Sequence, residues 1–139
     1  MSSVDWRIWL FDRLRENTGV TELVPVESMY GAGSLEASPA DKPFVVIHVG
    51  SEVTEIPGIS RTMATVWAHD EVGNYLTIDD LLQRVRNTLC GNGETTGQVL
   101  TSGGIAARWV GDGPDQSDPV LGTLMRSSTY RLLGRNGNV

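Results

Sequence analysis

A single cysteine, Cys90, occurs in 139 residues. One thiol excludes an intramolecular disulfide and a thiolate-built zinc site. Its place at the end of a predicted helix reads as a small buried apolar residue. Long apolar runs are missing too: nothing approaches the ~18–20 residues that a membrane-spanning helix needs. Basic residues are few, 11 Lys+Arg against 17 Asp+Glu, and Lys42 is the one lysine. The resulting net charge of -6 repels a phosphate backbone and argues against general nucleic-acid binding. The opening stretch "MSSVDWRIWLFDRL" has no basic leader, and acids and arginines interrupt its apolar residues. It does not read as a secretory signal, so the protein is expected to act in the cell that makes it.

What is present describes one α+β domain. A chain of this length buries roughly two-thirds of its unfolded surface and needs no staples. Residues 3–17 read as a helix with Ser3 as N-cap and Gly19 just past the end. Its apolar residues form two neighbouring stripes, Val4, Ile8 and Phe11 beside Trp6, Leu10 and Leu14, and Trp9 widens the arc. Either the helix is deeply buried or part of the arc, Trp6 and Trp9 included, meets another subunit. Residues 25–43 hold three prolines, two glycines and three serines without periodicity and read as a long irregular loop. Strands are expected at 44–50 and 62–69, each apolar on both faces, joined by a hairpin turning at Pro57-Gly58. Ile78, Leu81, Leu82, Val85 and Leu89 mark a second helix, with Thr77 and Asp80 placed as a capping box and Gly91 as its stop. Further strands are expected at 105–110 and 125–133, with a frayed end over 134–139. The order is α-β-β-α-β-β: a single domain over 1–139, a four-stranded, mostly antiparallel sheet with two helices on one face.

The chemistry-bearing residues do not assemble into a catalytic or metal motif. The run "GDGPDQSDP" at 111–119 carries Asp112, Asp115 and Asp118 at a spacing of three, with two prolines and no terminal glutamate. A calcium loop wants oxygen ligands at alternate positions, so the run reads as a turn or as a polar contact surface. Pairing about Pro57 sets His48 opposite Thr65 and leaves His69 four residues along, roughly 13 Å away, too far to share a metal ion. His48 is expected half-buried on its strand, and His69 at a strand end beside Asp70. There is no G-x-S-x-G elbow, and "GNGETTG" lacks the lysine of a phosphate loop. No catalytic residue, metal ligand or cofactor site is assigned, and the protein is not expected to be an enzyme.

Several strings in order resemble one family. A helix ends in "NTGVTELV"; a loop leads into "KPFVVIHVG"; then come "WAHDEVGNYLTIDDLLQRVRNTL" and "ARWVGDGPDQSDPVLGTLMRSSTYRL". From Trp6 to Leu133 the chain resembles the tail terminator (tail completion) proteins of long-tailed bacteriophages, especially actinobacterial siphophages. The resemblance implies a virion protein assembled in the host cytoplasm and placed at the neck. It would form a homo-hexameric ring on the major tail tube protein, stop tube growth and meet the head-completion (stopper) protein. DNA would pass through the ring without specific binding, and no membrane is involved. Candidate interface residues are Trp6, Trp9, Arg108, Asp112, Asp115 and Asp118. Another neck ring, such as a stopper or adaptor, is the nearest alternative; a small ligand-binding or regulatory module is a further one.

Overall fold

The computed structural model describes residues 5–31, 42–90, 94–96 and 104–135. The first helix, α1, spans Trp6–Glu16. Asp5 caps it, its Oδ1 accepting from the Ile8 backbone N–H at 3.1 Å, and Arg13 and Arg15 in the last turn complement the helix dipole. Ser3, the expected cap, lies outside the described residues. Of the two stripes, the chain buries Trp6, Leu10 and Leu14 together with Trp9, while Ile8 is 59% exposed. A four-residue helix follows directly: α2, Thr18–Thr21, is capped by the Asn17 side chain, which accepts from Val20 N–H at 3.3 Å.

The second long helix, α3, spans Tyr75–Cys90 and buries Ile78, Leu81, Leu82, Val85 and Leu89 along one face. It begins two residues before the expected cap, with Ile78 N–H already donating to Asn74 O at 3.2 Å. Thr77 therefore lies inside the first turn and caps nothing. Gly91 lies outside the described residues. Arginines tie the helices together. Arg13 donates to Thr88 O at 2.9 Å, and Arg84 reaches Gly19 O and Glu22, each at 2.8 Å.

The expectation of a four-stranded, mostly antiparallel sheet with two helices in the order α-β-β-α-β-β is corrected here, since three α-helices and eight strands occur among the described residues. The described residues form eight strands in one mixed sheet: β1 (Met29–Gly31), β2 (Phe44–Val49), β3 (Val53–Ile56), β4 (Ile59–Asp70), β5 (Glu94–Thr96), β6 (Gly104–Asp112), β7 (Gln116–Asp118) and β8 (Thr123–Arg135). The order across the sheet is β1-β2-β4-β8-β6-β5, with β3 added to β4 and β7 to β8. The four segments read from sequence are its middle. The additional strands are three or four residues long and exist because a longer neighbour offers a free edge. β1 falls within the segment read as an irregular loop; it pairs parallel to β2, Met29 opposite Val45, which makes the sheet mixed. Residues 32–41 of that loop lie outside the described residues. Strand β8 continues through Gly134 and Arg135, part of the stretch expected to fray, and residues 136–139 are outside the described set.

Turn chemistry between β3 and β4 is as the sequence reads, two residues, Pro57 and Gly58, with Gly58 at φ 85°. Proline supplies the first corner and glycine the left-handed second. The helices lie on one face, where Val45, Ile47, Ala64, Val66, Tyr130 and Leu132 join the helical leucines in one core. Cys90 is buried in that core.

Leu14→Ala removes a fully buried side chain and should cost about 2–5 kcal/mol, whereas exposed Ile8→Ala should stay within about 0.5 kcal/mol. Urea midpoints of the two variants check this. Equal effects would show that α1 packs through a different face.

Candidate functional site

The acidic run begins as the end of β6 and continues as β7. Both strands pair with the same edge of β8, β6 against Ser128–Gly134 and β7 against Thr123–Met125. Between them the chain steps off the ladder through Gly113-Pro114-Asp115, held by Gly113 N–H donating to Ser127 O at 2.8 Å. Arg126 holds the same place from the side, its Nε donating to Gly113 O at 2.8 Å and its Nη1 to Asp79 on α3 at 2.7 Å.

The three aspartates have different surroundings. Asp112 Oδ1 accepts from Ser128 Oγ at 2.7 Å and from Trp109 Nε1 at 3.1 Å. Trp109 Nε1 also lies 3.1 Å from Ser128 Oγ, which in turn sits 3.3 Å from the Tyr130 hydroxyl. The guanidinium of Arg86, from α3, stacks over the Trp109 ring at 4.4 Å. Burial pushes the Tyr130 phenol well above its ordinary pKa, with the Ser128 hydrogen bond pulling the other way, so it stays a neutral hydroxyl. Asp118 Oδ1 accepts from the backbone of Val120 and Leu121 at 3.0 and 3.1 Å and so builds the turn into β8, which Gly122 completes at φ 67°. Asp115 is exposed. The run is thus one bound carboxylate, one turn-forming carboxylate and one surface charge; the structure does not bring the three together.

Trp6 and Trp9 are 4% and 6% exposed and meet edge to face at 5.3 Å within the chain's own core. Arg108 is exposed, opposite Arg131 on the face of the sheet away from the helices. There it lines an open groove of about 540 Å³ with Glu55, Arg61, Met63, Val110 and Arg131. Glu55 bridges Arg61 at 3.2 Å and Arg131 at 3.0 Å. This groove was not visible in the sequence, because Glu55 and Arg131 are 76 residues apart and only the pairing of β3, β4 and β8 joins them. Alternation turns Val110 outward while Trp109 faces the helices, and the bulge that follows returns Asp112 to the helix side opposite Ser128.

The histidine pairing is as counted, His48 opposite Thr65, but His48 is exposed and not half-buried. His69 is 4% exposed, stacked on Phe44 at 4.6 Å, with Nδ1 2.9 Å from Thr123 Oγ1. Desolvation lowers its pKa, partly opposed by the Asp118 charge. Among the described residues no group of three His, Cys, Asp or Glu could hold a metal ion, and no helix is long and apolar enough to cross a membrane.

No protein-family model matches the chain, and no curated protein matches it in sequence. Its fold is similar to that of a chain in the solved virion of a native gene transfer agent (GTA) particle, with a TM-score of 0.68, 12% identity and 94% of each chain covered. At that identity the likeness shows the fold.

Ser128→Ala leaves the Tyr130 hydroxyl without its partner and Asp112 with one donor fewer, and should cost about 1–3 kcal/mol in chemical denaturation. An unchanged midpoint would mean that water already satisfies these groups. For His69 the lowered folded-state pKa fixes the sign. Below about pH 6.5 the unfolded chain takes up a proton that the folded chain resists, so stability falls with acid. His69→Gln should shrink the loss between pH 7.5 and 5.5; equal losses in both proteins would remove His69 from the acid response.

Proposed function

We propose that this chain is a structural virion protein that forms a hexameric ring at the head-proximal end of a tail tube. The ring ends tube elongation and presents a surface to the head-completion protein. The observation that carries this reading is the fold likeness to a virion chain along 94% of both chains. The ordered resemblance to tail terminators, from Trp6 to Leu133, supports the finer assignment. A role of this kind works through surfaces and asks for no catalytic step, cofactor or metal. The charge of -6 suits a ring through which DNA passes without sticking. Assembly would take place in the host cytoplasm, and the mature position would be the neck.

The decisive experiment adds the purified chain to the tube protein of the same particle during polymerisation. Tube length and end structure are then read by electron microscopy. Tubes should stop growing, with a ring of six 15.1 kDa copies on one end. Unaltered growth at saturating protein refutes the terminator role, and binding to the portal side instead assigns the chain to a stopper or adaptor ring.

A further inference from the structure

Four large apolar side chains stand in water at one end of the molecule: Val72 (74% exposed), Tyr75 (46%), Leu76 (86%) and Val120 (86%). The first three belong to the link from β4 into α3 and to the start of that helix, and Val120 sits in the turn from β7 into β8. The ladder brings both connections to the same end, since Asp70 pairs with Leu124. Both connections are ordered. Asn74 N–H donates to Glu71 O at 3.1 Å, and Gly122 N–H donates to Asp118 O at 2.7 Å. Leu76 and Val120 have no part in the core. Apolar residues held outward together on ordered turns mark a contact surface.

The same end is acidic. Asp70, Glu71, Asp79, Asp112, Asp115 and Asp118 gather there, against Arg126 and Lys42 as cations. Four of these carboxylates are engaged within the chain. Asp70 accepts from Glu71 N–H at 2.7 Å, and Asp79 holds Arg126 at 2.7 Å. Asp112 bonds to Ser128 and Trp109, and Asp118 builds its turn. Glu71 and Asp115 are exposed, and neither carboxylate has an ion pair or hydrogen bond among the described residues. Unpaired carboxylates beside exposed apolar side chains favour a partner that brings cations to that place.

A second copy does not bring them. All 11 Lys+Arg residues lie among the described residues. Arg61, Arg84, Arg126 and Arg131 are in ion pairs. Arg13 donates to Thr88 O, and Arg15 and Arg86 lie over Phe11 and Trp109. Arg108 has a partner and pairs with Glu94 in the β5–β6 ladder. Arg7, Lys42 and Arg135 remain, and they do not make a patch. Arg7 shares its groove with Asp5 and Glu52, Lys42 belongs to the acidic end itself, and Arg135 closes β8. With a net charge of -6 on each, two copies also repel one another.

We propose that Val72, Tyr75, Leu76 and Val120, flanked by Glu71 and Asp115, seat a segment of a different protein that presents apolar side chains between arginines or lysines. The apolar residues give the contact its strength, and the carboxylates select and orient the segment. The same charge turns away DNA and anionic membrane surfaces. Which protein carries the segment rests on the ring reading, which offers the tube protein and the head-completion protein; the chemistry of the seat does not.

The test uses two full-length variants altered only at exposed positions. Leu76→Ser with Val120→Ser removes the apolar anchors, and Glu71→Gln with Asp115→Asn removes the charges at constant size. Thermal unfolding close to wild type shows that each still folds. The probes are assembled tubes, read by co-sedimentation, and the purified head-completion protein, read by calorimetry. Salt is varied from about 50 to about 500 mM. Wild type should bind one of the two. The serine variant should bind it about tenfold more weakly or worse at every salt concentration. The amide variant should lose about threefold or more at low salt and respond less to added salt. Serine and amide variants that both bind like wild type overturn the seat and leave the ring reading standing. An amide variant with the wild-type salt response overturns the cationic partner. Wild type that self-associates with concentration through these residues, as a serine variant that stays monomeric would show, overturns the proposal in favour of a second copy. Wild type that binds neither probe overturns it as well, and the arrest of tube growth then decides the ring reading separately.

Discussion

The antiparallel ladder between β4 and β8 places every other contact in the protein. It pairs Ile59–Asp70 with Arg135–Leu124 residue for residue. A strand as long as β8 has two edges of backbone donors and acceptors, and buried ones must be satisfied. β4 covers one edge. The other is too long for β6 alone, so the chain leaves the ladder after Asp112 and returns to it at Gln116 as β7. Pro114 falls in that gap, where a residue without an N–H costs no ladder bond. The acidic run is therefore first of all a device for covering one edge of β8 in two pieces. Its aspartates are there partly because they make turns, as Asp118 does with two backbone donors.

The same ladder divides the molecule into a dry side and an open one. On the helix side the alternation puts Ala64, Val66 and Ala68 beneath α1 and α3. At its edge the apolar row gives way to Ser128, Trp109, Asp112 and the Tyr130 hydroxyl, which bond to one another. Burying a hydroxyl without a partner costs more than the pair gains, so a small closed network is the tolerable form of polarity there. Arg86 lies over the indole and screens that network with its own apolar stem. On the open side no helix of the described residues lies over the strands, although Phe44, Val46 and His69 are buried at one end of it. That is why charged and apolar residues can alternate there, and why Glu55 can hold two arginines half in water.

Legibility followed sequence distance and element length. α3 could be read because five apolar residues at helical spacing all point one way, and the hairpin because Pro57-Gly58 is a strong turn signal between extended segments. Counting outward from that turn gave the pairing of His48 with Thr65. The short strands were not legible. β1, β3, β5 and β7 are held by the edges they join, and three or four residues carry no period of their own. Trp6 and Trp9 illustrate a different limit. Periodicity showed an arc too wide for one small sheet, yet it could not say that a larger sheet would fill it. Ile8, in the companion stripe, is the residue left outside. The Arg61, Glu55 and Arg131 cluster needed the strand order, which no local pattern encodes.

A long unbroken ladder also has a consequence for assembly. Its two ends are joined by paired backbone bonds along the whole length of the ladder. Patches at opposite ends are then held at a fixed separation and a fixed relative rotation. Surfaces that belonged to mobile loops would join copies at variable angles and yield chains of mixed curvature. Surfaces carried on the ends of one sheet repeat the same angle at every joint, which gives a regular assembly: a ring when the rotation per joint closes, a helical filament when it does not. The residues that face outward at the two ends therefore matter through the strand between them. The twelve residues of β4 that bury the core also set the geometry with which one copy can present itself to the next.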